Sequence, residues 1–465
     1  MLELRNPSVW LPRRGVAHRH PGFRSEAGTV TALVGPSGTG TTSLLRLINR
    51  CLPPGARTTG DVLLDGRSLL TGNLDEVLAR QLYVAQFPED PRSVAEVLAA
   101  HRVSAVGYGL DDHVDWPVSS LPPDLAGQLG VAVLEHGPSR PIVLADQPAG
   151  ALSAKWRERL GRALRDRARL GAHVLWAEHR LDCVWEFADA IVEPDTASVT
   201  VAGWRPGSVR EPTLATLSRL ARVAPPAPRT PESLIGALPH IERVTPIGQP
   251  RFSGQGRRVT LQMLGLESDG GLDIRPGESV GVVNLAGRSE PVARRLTQAL
   301  KGVRVPSLLP SELTPESLCL QWDRAHRTDT RSRLSQVDGI RPRSPIATHS
   351  DGEVAALRLL LAHDTTLPLW LPHPQLGLDQ AGQIRAQGEL ARGSSGIRIV
   401  TTRDVEFLVR SCHRILIVDG ARLVSFGSPR AVLPHLPERP LVSRAFPGLS
   451  AIRLGDVIEA LAVAR

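Results

Sequence analysis

The sequence predicts an α/β fold built twice in tandem, each half around a mainly parallel sheet. Short apolar runs such as Val30-Thr31-Ala32-Leu33-Val34 and Ile142-Val143-Leu144-Ala145 alternate with stretches of helical periodicity, the pattern of strands linked by crossover helices. The chain also repeats itself. Val174-Leu175-Trp176-Ala177-Glu178-His179 and Ile399-Val400-Thr401-Thr402-Arg403 each read as an apolar strand running into a polar loop. A constant 224 residues separates His179 from Arg403, Ile191 from Ile415 and Gly203 from Gly427. Between the halves, Ala224-Pro225-Pro226-Ala227-Pro228-Arg229-Thr230-Pro231 can continue neither helix nor strand and reads as a stiff linker. The expected domains are therefore 1–222 and 240–430, joined by a linker at 223–239 and followed by a tail at 431–465. Within the tail, Leu454-Gly455-Asp456-Val457-Ile458-Glu459-Ala460-Leu461 reads as a terminal amphipathic helix.

Composition narrows the class. A chain of 465 residues has room for two or three domains, and 42% hydrophobic with 22% charged residues is ordinary globular composition. Lysine and arginine total 55, yet only Lys155 and Lys301 are lysine. The net charge of +8 is not gathered into an arm: Arg13-Arg14 and Arg257-Arg258 are isolated pairs, so no direct nucleic-acid contact is expected. Cys51, Cys183, Cys319 and Cys412 form no CxxC pair, which suits a reducing compartment. No apolar stretch approaches the ~18 residues of a membrane span, and Met1-Leu2-Glu3-Leu4-Arg5 opens no signal peptide. The expected place is the cytoplasm, with docking on a membrane partner left open.

The chemistry begins at Gly35-Pro36-Ser37-Gly38-Thr39-Gly40-Thr41-Thr42, between a predicted strand and a predicted helix. Glycines let backbone N–H groups turn inward, and a helix N-terminus favours phosphate. The pattern is that of a phosphate loop with one exception: Thr41 stands where a lysine should reach the β- and γ-phosphates, while Thr42 keeps the hydroxyl for Mg²⁺. One charged hydrogen bond fewer costs about 1.5–3 kcal/mol. Downstream, Ile142-Val143-Leu144-Ala145-Asp146 is an apolar strand ending in an acid suited to Mg²⁺. The next residue, Gln147, can orient an attacking water but cannot take its proton. Gln86, from a loop, is a candidate for Mg²⁺ or water, and His179, at a strand end, for the γ-phosphate.

With these residues in order, the chain resembles the ATP-binding cassette (ABC) family nearly end to end, as two cassettes of P-loop NTPase type, each with a helical subdomain. The resemblance makes residues 35–42 the Walker A loop, Gln86 the Q-loop, Asp146 the Walker B acid and His179 the switch histidine. Gly150-Ala151-Leu152-Ser153 resembles a D-loop whose acid is replaced by Ser153. The phrase Ala177-Glu178-His179-Arg180-Leu181-Asp182 and the fused tandem layout are similar to the duplicated ATPases of energy-coupling factor importers. That likeness implies ATP and Mg²⁺ as cofactors. It also implies a transmembrane scaffold and a small substrate-binding membrane component as partners, and a peripheral place on the inner face of the cell membrane.

Departures from the family pattern are unevenly distributed. The signature of the first half reads Leu121-Pro122-Pro123-Asp124-Leu125, and proline has no N–H to offer a phosphate. In the second half the phosphate loop reads Asn284-Leu285-Ala286-Gly287-Arg288-Ser289-Glu290-Pro291, with Glu290 at the lysine position. There Pro372 and His373 replace the Walker B acid and its neighbour, Arg403 the switch histidine and Ser311 the Q-loop glutamine. The second half keeps Ser350 and Gly352 of a signature and Asp379 of a D-loop. Because cassettes of this family pair head to tail, the resemblance implies one composite site: Gly35, Ser37, Gly38, Gly40, Thr41, Thr42, Gln86, Asp146, Gln147 and His179, closed by Ser350, Gly352 and Asp379. The expectation is an ATP-binding importer subunit with weak nucleotide binding at one site and impaired hydrolysis. The alternatives are a non-enzymatic pseudo-ATPase scaffold and, ranked last, a soluble tandem protein acting on ribosomes or nucleic acid. Trp10 or Leu11 lies where the family often stacks an aromatic on adenine.

Overall fold

A computed structural model describes the chain except for Arg13, Phe87, Glu89, Arg222, Arg251, Ser253, Asp364, Ser394 and residues 194–198, 201–210, 224–228, 236–250, 448–450 and 464–465; at 199–200 and 461–463 only the backbone is described. Most of the expected linker, and Gly203 of the repeat, lie outside the described residues. The chain divides into two compact units, Met1–Thr213 and Leu214–Arg465.

In the first unit the strands Gln81–Ala85, Ile142–Asp146, His173–Glu178, Val30–Val34 and Ala190–Val192 lie side by side in that order, all parallel, with Val199–Thr200 added antiparallel at the edge. Val30–Val34 and Ile142–Asp146 are buried along their whole length. That is why their sequences are unbroken apolar runs rather than alternating ones. A second, antiparallel sheet is centred on Leu2–Leu11. Its Leu2, Leu4, Val9 and Val62 meet Leu45 and Ile48 of the helix Thr41–Ile48 and Leu33, Leu144, Leu175 and Ala177 of the parallel sheet in one core. Each such Leu, Val or Ile side chain, once buried, contributes about 1.5–3 kcal/mol, and the helix that follows the phosphate loop is fixed by them. Between Gln86 and Ile142 the chain forms the helices Val94–Ala100 and Pro123–His136.

The second unit repeats the sheet. Val303–Arg304, Leu369–Pro372, Arg398–Thr401, Ser279–Asn284 and Arg414–Asp419 are parallel in that order, and Arg422–Gly427 closes the edge antiparallel. Its helices Pro315–His326 and Asp351–Leu361 occupy the same stretch of the chain path as the first unit's pair. Strand register confirms the duplication at single-residue level. Asp146 lies opposite Ala177, and Pro372 lies opposite Thr401. Residues drawn as a tail instead belong to this unit's core: Val432, Val442, Ala445 and Val457 are buried, and Arg453 Nε donates to the Val409 carbonyl at 2.8 Å. The helix read at the end of the chain is present as Leu454–Val463.

Candidate nucleotide site

The strand Val30–Val34 hands over to a loop whose Gly38 and Gly40 both take φ of 88°, a backbone region that side chains with a Cβ rarely adopt. Gly40 has a second constraint: a Cβ there would lie 2.4 Å from Cγ of His18. Gly40 precedes the helix Thr41–Ile48 as its N-cap and supplies no capping side chain. The first amides of that helix have no intrahelical acceptor and no capping side chain, and with the positive end of the helix dipole they suit an anion.

Five of the expected residues converge at this loop. Thr42 Oγ1 donates to Asp146 Oδ1 at 2.9 Å. Gln147 Nε2 approaches Thr42 Oγ1 at 3.4 Å. The backbone N–H of Gln86 donates to the Asp146 carbonyl at 2.9 Å, and the Gln86 side chain is buried. His179 Nδ1 lies 3.1 Å from the Gly35 carbonyl, at the loop's entry. Ser37 and Thr41 are part-exposed along the same loop. A hydroxyl and a carboxylate in contact form the oxygen-rich pair that a hard cation prefers, and Mg²⁺ commonly takes one or two protein carboxylates with the remaining positions on phosphate and water. The residues fit the group. Among the described residues there is no group of three or more His, Cys, Asp or Glu side chains placed to hold a metal ion.

Two participants escaped the sequence reading. Tyr83, on the neighbouring strand Gln81–Ala85, donates its hydroxyl to Asp146 Oδ2 at 2.9 Å. Burial, then the Asp146 charge, raises the Tyr83 pKa, so the phenol stays a donor. Glu178 ends the strand His173–Glu178 on the face opposite Leu175 and Ala177; its Oε1 accepts from the Ala149 N–H at 3.1 Å and from the Trp176 indole at 3.3 Å. Burial pushes its carboxyl pKa up to about 7, against the opposing pull of the Ala149 N–H and of Arg180. Glu178 thus ties the segment after Asp146 to the strand that carries His179. The only sequence signal was an acid inside an apolar strand pattern.

Gln147 takes a left-handed φ of 55°, and His373, one residue past Pro372, takes 45°. Their N–H groups bond in parallel fashion, Gln147 to the Ala177 carbonyl at 3.0 Å and His373 to that of Thr401 at 2.7 Å. The two turns share this left-handed backbone and differ in side chain. In the second unit Asn284 Oδ1 accepts from the Ala286 N–H at 3.2 Å, and Glu290 is gripped by Arg288 at 3.2 Å with His373 Nε2 at 3.7 Å. His373 thus faces a carboxylate.

The remaining expected residues lie in the second unit as helix caps. Ser350 caps Asp351–Leu361 in a reciprocal capping box with Glu353, with Gly352 in the first turn. Asp379 caps Gln380–Arg392 by accepting from the Gly382 N–H at 2.7 Å, as Ser153 caps Ala154–Arg169 in the first unit. Pro122 and Pro123 begin the helix Pro123–His136 without a side-chain cap. Trp10 is held against the Arg57 guanidinium, 5.2 Å from its ring centroid, and Leu11 is buried.

Residues 19–126, which contain the phosphate loop and Gln86, match the ABC transporter family model. Over 92% of this chain, the backbone follows that of a solved tandem structure titled RNase-L Inhibitor, with a TM-score of 0.51, 15% identity and 91% of that chain covered. The fold is that of the ABC cassette. A model of ribosome-bound archaeal Pelota and ABCE1 aligns over 90% of this chain and 79% of that one, with a TM-score of 0.57 and 16% identity. Among curated proteins, the arabinose import ATP-binding protein AraG of Yersinia pestis is 26% identical over 215 residues, 40% of either chain. The phosphate import ATP-binding protein PstB of Tropheryma whipplei is 55% identical over 58 residues, 12% of this chain and 22% of that one. The matches thus span 40% or less of the length of these curated relatives. Among the described residues, no helix of the cassettes is long and apolar enough to cross a membrane.

Proposed function

We propose that the chain is an ATP-binding subunit of an importer of the energy-coupling factor kind, holding ATP and Mg²⁺ weakly in its first cassette and hydrolysing it poorly. The observation that carries this reading is the Thr42–Asp146 hydrogen bond, 2.9 Å long, beneath a phosphate loop whose helix has no capping side chain. In this reading Gly35, Ser37, Gly38, Gly40 and Thr41 cradle the phosphates, Thr42, Asp146 and Gln86 hold Mg²⁺, and Gln147 and His179 orient water and the terminal phosphate. Ser350, Gly352 and Asp379 of the second cassette are assigned to nucleotide contacts on the family resemblance. The similarity of part of the chain to arabinose and phosphate import proteins supports the importer class. A transmembrane scaffold and a substrate-binding membrane component are the partners, with the chain peripheral on the cytoplasmic face.

Thr41 and Gln147 favour a second reading, a pseudo-ATPase scaffold that binds nucleotide without turnover. Steady-state ATPase measurements test both. The native chain should turn over far more slowly than the Thr41→Lys/Gln147→Glu double variant, which regains the phosphate cation and a proton acceptor. Rapid hydrolysis by the native chain would contradict the reading, and a double variant that binds ATP but stays inert would favour the scaffold.

A further inference from the structure

We propose that the phosphate loop of the second cassette is closed by a carboxylate of the chain itself: Glu290 takes the place of a nucleotide phosphate. The inference deepens the reading that only the first cassette takes nucleotide, and rests on it. Glu290 is the first residue of the helix Glu290–Ala299, so its charge sits at the positive end of that helix's dipole. A guanidinium and an imidazole converge on it. Arg288 holds both carboxylate oxygens, at 3.2 and 3.4 Å, and His373 Nε2 stands 3.7 Å from Oε1. Burial raises the Glu290 pKa, but the His373 and Arg288 contacts outweigh it and hold the carboxyl well below the usual range, so an anion occupies the site.

The loop around it is spent on internal bonds. Asn284 Oδ1 accepts from the N–H groups of Ala286 and Gly420, both at 3.2 Å; Asn284 Nδ2 donates to the Arg288 carbonyl at 3.0 Å; and the Asn284 N–H donates to Ser289 Oγ at 3.1 Å. His373 is 7% exposed, and its Nδ1 has no hydrogen-bond partner among the described atoms. A buried imidazole with a spare nitrogen and a guanidinium, set before a helix N-terminus, form an anion site that the chain fills from within. The second cassette is thereby held in a ligand-independent state.

The test is thermal unfolding of the full chain and of Glu290→Gln and Glu290→Ala, with and without inorganic phosphate. Both variants should melt below the native chain, and phosphate should raise their Tm by more than it raises the native Tm, because removal of the carboxylate opens the site to an external anion. Glu290→Gln keeps the side chain's shape and remains readable if Glu290→Ala fails to fold. Equal phosphate shifts in the native chain and the variants, or a native-like Tm in the variants without phosphate, would overturn the proposal. Absence of ATP binding to the native chain would sink the proposed function yet leave this phosphate comparison standing; two nucleotides bound per native chain would sink both.

Discussion

Glu178 shows how a single residue can carry both strain and purpose. Its carboxyl is buried between the Trp176 indole and the Ala149 N–H, and its pKa is raised from 4.5 to about 7. The unfolded chain releases this proton near pH 4.5 and the folded chain holds it to about 7, so folding is opposed increasingly as pH rises through that window. At about 1.4 kcal/mol per pKa unit the full penalty above neutral pH is about 3 kcal/mol, and it vanishes below the unfolded pKa. Glu178→Gln keeps an acceptor for Ala149 and removes the charge. Thermal denaturation should show the variant more stable than the native chain at pH 8 and indistinguishable from it at pH 4. A pH-independent difference would mean that Glu178 does not titrate in this window. Thr42, Asp146 and His179 were legible in the sequence because each sits at a fixed distance from a glycine loop or an apolar strand end. Tyr83 and Glu178 were not, because their roles come from lateral neighbours in the sheet, which spacing along the chain does not encode.

At the scale of elements, the cassettes conserve backbone more faithfully than side chains. The left-handed φ at Gln147 and His373, and the caps at Ser153 and Asp379, recur at equivalent points of the two halves. The parallel sheet was readable because strands covered on both faces are continuous apolar runs. The antiparallel sheet around Leu2–Leu11 was not read, since its strands are half-exposed, mix polar with apolar residues, and pair with segments distant along the chain. Ser350 and Asp379 have a structural duty as N-caps whatever contact they make with nucleotide. Ser350→Ala and Asp379→Ala should each lower unfolding stability by about 1 kcal/mol in urea titrations, the usual worth of such a cap. Ser350→Asp, which preserves the cap, should restore that stability, and a variant at native stability without a cap would show that the helix starts are held by packing alone.

For the whole molecule, the two lysines of the sequence acquire a meaning that composition alone lacked. Neither Lys155 nor Lys301 is in a phosphate loop; the positions that would hold one carry Thr41, which is neutral, and Glu290, which is bound by Arg288 and His373. One cassette has a phosphate loop over a Thr42–Asp146 pair, and in the other the corresponding Glu290 is held by Arg288 and His373. Calorimetric titration of the full chain with ATP, with and without Mg²⁺, tests this asymmetry most directly. The account predicts weak binding of one nucleotide per chain that depends on Mg²⁺ and is lost in Asp146→Asn; two nucleotides per chain, or binding indifferent to both Mg²⁺ and Asp146, would contradict it.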